Sequence, residues 1–138
     1  MVVRLSGLSL VAVFAAALIV ASCGAGLVGT TTLPTHKDLN GYPAALLDAT
    51  LVRDGPCLRA AAADGTERWL PIWPAGFSLA GDVMMNGGQH IVSVGDRVKL
   101  GGGEYDETDY AFLRTLMNDE VPAACRGGKY WLVGQIVP

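Results

Sequence analysis

The residues able to do chemistry are few and widely spaced. Three cysteines stand at positions 23, 57 and 125, two histidines at 36 and 90, and Glu104, Asp106, Glu107 and Asp109 crowd one short run. His90 and those acids are the set from which a hydrolase or a metal-dependent enzyme would have to be built. One imidazole is a poor foundation for it, because no Gly-x-Ser-x-Gly elbow accompanies His90 and no Cys-x-x-Cys tunes a reactive thiol. Met84, Met85 and His90 have the softness that copper selects, and the acidic run has the hard oxygens of a calcium site. Spacing carries neither: the two methionines straddle a strand with one packing inward, and the acids lack the glycine-containing order of an EF-hand loop. Gly101-Gly102-Gly103-Glu104 lacks both the Lys-Ser/Thr ending of a P-loop and the Gly-x-Gly-x-x-Gly order, and reads as a flexible turn. This inventory calls for no cofactor and describes a non-enzymatic protein.

The run Trp69-Leu70-Pro71-Ile72-Trp73-Pro74 is richer in contact surface than in reactivity. On a strand Trp69 and Trp73 share one side. Pro71 between them donates no ladder hydrogen bond, which places the run at a sheet edge or a bulge. Two readings follow: rings packed into the core, as is usual for aromatics in a small domain, or rings at an open margin forming a platform for a glycan or a partner's side chains.

The first cysteine has a different context. Met1 to Ser22 carry a basic start at Arg4, an apolar stretch from Leu8 to Val20 and small residues at the end, the layout of a secretory signal. The stretch falls short of the roughly 18 to 20 apolar residues a transmembrane helix needs. Val20-Ala21-Ser22-Cys23 resembles the lipobox of bacterial lipoproteins. The resemblance covers the leader alone. It implies cleavage before Cys23, a diacylglycerol joined to its thiol and acylation of the new amine, two or more chains where each buried methylene contributes about 0.8 kcal/mol to membrane attachment. In that family aspartate after the cysteine often marks retention at the inner membrane. Gly24 here favours the outer membrane of a two-membrane cell, or the outer face of the cytoplasmic membrane in a cell with one. The expected location is therefore the bacterial cell envelope, on the extracytoplasmic face of a membrane. With Cys23 modified, Cys57 and Cys125 remain in an oxidising compartment, where a disulfide between them is the default.

These assignments divide the chain into a leader at 1–22, a lipidated cysteine and flexible Gly/Thr/Pro tether at 23–38, and a domain at 39–138. Eighteen glycines and seven prolines punctuate short apolar runs. Leu46–Val52, Cys57–Ala62, Arg68–Trp73, Asp82–Met85, His90–Val94, Arg97–Leu100 and Tyr130–Val137 read as strands. In Arg97-Val98-Lys99-Leu100 the apolar residues face inward and the bases outward. Between the last two strands, DETDYAFLRTLMNDE reads as a helix with Tyr110, Leu113 and Met117 on one face and Asp106 or Thr108 at its start. The expected fold is mainly β, a small partly open β-barrel of the OB-like or SH3-like kind with one helix, with a β-sandwich as the alternative. The run VGDRVKLGGGE and the terminal YWLVG after a cysteine resemble envelope lipoproteins of no known activity.

The net charge of −3 becomes −4 once Arg4 leaves with the leader, and this mild acidity argues against nucleic acid as a partner. The expected function is a lipid-anchored, non-catalytic module that binds an envelope protein or glycan near Trp69 and Trp73. The alternative is an envelope hydrolase or metal-dependent enzyme using His90 and the nearby acids.

Overall fold

The computed structural model describes residues 33–138, so the leader and Cys23 lie outside the described residues. The elements are β1 (Thr35–His36), β2 (Ala45–Asp54), β3 (Cys57–Ala61), β4 (Arg68–Pro74), β5 (Phe77–Ala80), β6 (Val83–Asn86), β7 (Gln89–Ser93), β8 (Arg97–Asp106), α1 (Tyr110–Leu116) and β9 (Lys129–Val137). All seven expected strands are present, joined by two more, β1 and β5.

β2 pairs antiparallel with β3 and β8, β8 antiparallel with β9, β9 parallel with β4, and β4 antiparallel with β3. Five strands thus close on one another, with the strand count of the OB-like form. The ring is only partly closed. β3 and β4 meet at Ala60–Trp69 and Ala61–Arg68 and then part, and β1 takes up the freed edge of β4 at Trp73 and Pro74. This gap explains Pro71. N–H directions alternate along a strand, and the Trp73 N–H donates to the Pro34 carbonyl on the β1 side, so the Pro71 nitrogen faces the same edge where β3 has left and β1 has not yet begun. The meander β5-β6-β7 forms a separate three-stranded sheet and packs Met84, Val92, Phe77 and Leu79 against the barrel interior.

Two cores share β4 and β9. Trp69, Trp73, Trp131 and Val133 point into the barrel with Leu47, Leu51, Val98 and Leu100. Leu70, Ile72, Tyr130 and Leu132 point outward beneath α1, where they meet Leu113, Met117 and the half-cystines. Strands buried on both faces carry unbroken apolar runs, which is why WLPIW and YWLV lack alternation. β2 and β8 have one wet side: Leu47, Ala49 and Leu51 are buried on β2, Val98 and Leu100 on β8, and Arg97 and Lys99 are exposed, as expected.

Cys57 and Cys125 form a disulfide with a Cα–Cα distance of 5.7 Å, 68 residues apart in sequence. On the chain-entropy account such a loop is worth about 4 kcal/mol. The helical segment is shorter than its pattern. Glu107–Asp109 form a 3-10 turn with Asp106 as N-cap, its N–H donating to the Asp109 carboxylate at 3.1 Å, and α1 follows. It stops at Leu116 because β1 captures the next backbone groups: the Lys37 N–H donates to the Leu116 carbonyl and the Asn118 N–H to the Thr35 carbonyl, each at 2.9 Å. Tyr110, Leu113 and Met117 form the buried face expected of them.

Two expectations are corrected here. The part of the tether from Leu33 onward belongs to the folded domain, since Leu33 is in the barrel core and His36 is fully buried in β1. The Gly101–Glu104 run is not a turn. It lies within β8, paired to β9 from Gln135 to Trp131, with a bulge between Gly101 and Gly102.

Candidate functional site

The tryptophan platform does not form. Trp69 is 5% exposed and Trp73 is 0% exposed, both inside the barrel. Trp69 donates its indole N–H to Glu104 Oε2 at 2.6 Å, and Trp73 stacks on Phe77 with ring centroids 5.7 Å apart. The two rings do share one side of β4, but β9 and the β5-β6-β7 meander make that side the interior.

The His90 constellation is dispersed. His90 sits on β7 with Nε2 3.1 Å from Ser93 Oγ. The acids are engaged elsewhere: Glu104 with Trp69 and, at 3.4 Å, with Lys129 Nζ; Asp109 with the N-cap; and Glu107 with Tyr130, Arg126 and the Gly127 N–H. Met85 is the cross-strand partner of His90, while Met84 on the opposite face is buried in the core, so the soft set is split between two sides of a sheet. Among the described residues no group of three or more His, Cys, Asp or Glu converges as metal ligands do.

Around Glu107 the structure builds a polar knot beside the disulfide. Its carboxylate accepts from the Tyr130 hydroxyl, the Arg126 guanidinium and the Gly127 N–H, and Arg126 lies 3.8 Å above the Tyr110 ring. The Tyr130 bond, followed by those of Arg126 and Gly127, holds the Glu107 carboxyl below its ordinary range against the opposing effect of burial. Burial, and then the bond to Glu107, push the Tyr130 phenol up to about 12. Every partner here is satisfied by another, which makes the knot a clasp for the chain between β8 and β9.

The open feature lies farther along β9. Residues Asp38 to Ala44 cross its outer face as a strap. A Cβ placed on Gly134 would lie 2.7 Å from Tyr42 Cγ, and one on Gly103 would lie 2.7 Å from Pro43 Cγ. The glycines therefore remove side chains so that Tyr42 and Pro43 can rest on the bare backbone. Gly102 is tighter still, since its Cβ would stand 1.9 Å from the Leu132 carbonyl oxygen at the bulge. Beside the strap opens a cleft of about 380 Å³, lined by Tyr42 to Leu46, Gly101, Gly102, Gly134, Gln135 and Val137. Tyr42 is 39% exposed and Leu46 60%. The lining holds no carboxylate, imidazole, amine or thiol. A second cleft of about 340 Å³ continues from Val137 to Ile91, Arg97, Lys99 and Pro138.

Sequence reasoning missed this cleft and its strap. A signal was present in GGG on one strand and Gly134 on another, because glycine inside a strand marks the close approach of something else. Register alone brings those glycines side by side. No protein-family model, curated protein or solved structure matches the chain.

Proposed function

We propose that the protein is a lipid-anchored module of a bacterial cell envelope, tethered through Cys23 to the extracytoplasmic face of a membrane, and that its domain binds its ligand without transforming it. The compartment is supported by the Cys57–Cys125 disulfide, which persists where thiols are oxidised and leaves Cys23 as the odd cysteine. The cleft beside the strap carries the binding half of the proposal. Its lining offers an aromatic ring, apolar contact and the Gln135 amide, and holds no carboxylate, imidazole, amine or thiol.

That composition suits an uncharged saccharide. C–H faces of a sugar pack on Tyr42, and a primary amide both donates to and accepts from hydroxyls. An anionic ligand would find no counter-charge within the lining. A protein partner is the second reading, favoured by the exposure of Leu46 and by the second cleft past Val137, where Ile91 and Ile136 stand beside Arg97 and Lys99.

The two halves are tested separately. Intact mass of the membrane-extracted protein should show a chain beginning at Cys23 with acyl groups added; a water-soluble product with an unmodified thiol there would defeat the anchor. Titration of the labelled protein with neutral oligosaccharides should shift amide signals of Tyr42, Ala44, Ala45, Leu46 and Gln135. Shifts with acidic oligosaccharides alone, or shifts confined elsewhere, would reject the cleft as a neutral-sugar site, and perturbation by an envelope protein through Leu46 and Ile91 would select the second reading.

A further inference from the structure

The cleft does not end at the strap. Gly101, Gly103 and Tyr105 share one face of β8. Gly101 pairs with Leu46 of β2 and with Gln135 of β9, and these three residues line the cleft. Two residues on, Pro43 covers Gly103, its Cγ 2.7 Å from where a Cβ would stand, and Tyr105 Cε2 lies 3.6 Å from the same point. The Pro43 and Tyr105 rings therefore meet over that glycine. Phe112 of α1 follows, its ring centroid 6.1 Å from that of Tyr105 and its plane tilted by 37°. Pro43 and Phe112 are exposed, the latter by 54%, and Tyr105 is half-buried. One apolar lane thus runs from the cleft across the strap to the helix. Contiguity separates it from the single exposed side chains that any surface carries.

We propose that this lane is an outer subsite of the cleft and that the ligand is an extended neutral oligosaccharide, with Tyr105 and Phe112 as the platform for its distal rings. The proposal rests on the neutral-saccharide reading of the cleft and adds the length of the ligand. From Gly101 to Tyr105 the strand rises about 13 Å, and Phe112 lies beyond. A single sugar ring occupies the cleft or the platform, and only a chain occupies both.

Four observations select this occupant. The phenols of Tyr42 and Tyr105 bond no other group of the described residues, so each is free to donate to and accept from sugar hydroxyls. Phe112 belongs to neither core, which leaves its ring open to the C–H groups of a sugar. The strap is a fixed floor, since the fully buried His36 ring just before it lies 2.7 Å from both the Val133 and the Lys37 carbonyl oxygens. The charges beside the lane are wrong for an acid. Asp106 and Asp109 stand at the start of α1 next to Tyr105 and Phe112, while the neighbouring bases are occupied, Arg126 by Glu107 and Arg114 by Glu120. An acidic glycan would meet like charge there.

The test is titration of the full chain in zwitterionic micelles with linear neutral glucans and N-acetylchitin oligomers, each as disaccharide and hexasaccharide, read by calorimetry and by NMR of backbone amides and aromatic side chains. The disaccharide should shift the cleft signals alone. The hexasaccharide should also shift the Tyr105 and Phe112 rings and bind about fivefold tighter, the size of one aromatic contact. Phe112→Ala, at an exposed position, should leave the disaccharide affinity unchanged and abolish the gain with length. Equal affinity at both lengths, or a gain retained in Phe112→Ala, overturns the proposal, and the ring shifts decide it in the wild type without any variant. Cleft shifts with silent Tyr105 and Phe112 rings defeat the outer subsite and leave the cleft reading standing. Absence of cleft shifts with every oligomer defeats both. Shifts of the Phe112 ring caused by a basic peptide and by no glycan would give the lane to a protein partner and overturn the proposal.

Discussion

The two halves of β9 solve opposite problems. From Lys129 to Leu132 the strand lies between β4 and β8, with Tyr130 and Leu132 covered by α1 and the half-cystines and Trp131 filling the barrel. From Gly134 to Val137 β4 no longer flanks it, a glycine replaces the outward side chain, and a strap and an open cleft take the place of a helix. The first half is closed by covalent, apolar and ionic contacts acting together. The second is shaped by the removal of side chains, so its geometry depends on what lies across it. A single strand thus joins the part of the domain closed by the disulfide to the strap and its cleft.

The largest effect is expected at the closed half. Replacing Cys57 and Cys125 together by serine should lower stability by about 4 kcal/mol, read as a fall in unfolding midpoint matched by the wild type in reductant. Near-unchanged stability would show that α1 and the Glu107 knot close this half without the disulfide.

Next comes the junction between the halves. Gly102→Ala brings a Cβ to 1.9 Å from a backbone carbonyl, and overpacking against backbone should cost about 3 kcal/mol. An effect as small as that of a surface substitution would mean the bulge shifts freely and the two halves are less coupled than they look.

The knot makes a pH prediction with a sign on each side. The Glu107 carboxyl is held low by the Tyr130 bond first, so its contribution is present above the ordinary carboxylate range and is lost as pH falls through the lowered folded value. The Tyr130 phenol is raised from 10.0 to about 12, so its contribution is full below pH 10 and disappears as pH rises toward 12. Denaturant midpoints across pH should show both limbs, and Tyr130→Phe should flatten the alkaline one. The same alkaline slope in that variant would assign it to the other tyrosines.

The smallest change in stability belongs to the open half. Gln135→Ala should leave unfolding within about 0.5 kcal/mol of the wild type while weakening saccharide binding several-fold by calorimetry. Retained affinity would move the ligand off this part of the cleft.

Much of the barrel was legible because its signals are local. Alternation marked β8, short apolar runs marked the other expected strands, and paired turn residues such as Asp54-Gly55 punctuated them, with Gly55 at φ 58 opening the turn. β1 was not legible because two residues, Thr35 and His36, hold no period, and their burial comes from β4 and the chain after α1. β5 escaped because half of its four residues are exposed, so Phe77-Ser78-Leu79-Ala80 makes too short an apolar pattern to stand out before its pairing with β6.

Residue order by itself determined parity: which side chains share a face, as Trp69 and Trp73 do, and where backbone donors are missing, as at Pro71. It also supplied the two thiols whose pairing the fold allows. Only the tertiary structure decided which face became the inside, whether GGG meant a bend or a bare bed for Tyr42 and Pro43, and that a histidine in linker-like sequence would be sealed between two carbonyls. Parity follows from the two-residue repeat of one strand, whereas inside, outside and close approach are properties of whatever segment arrives from elsewhere in the chain.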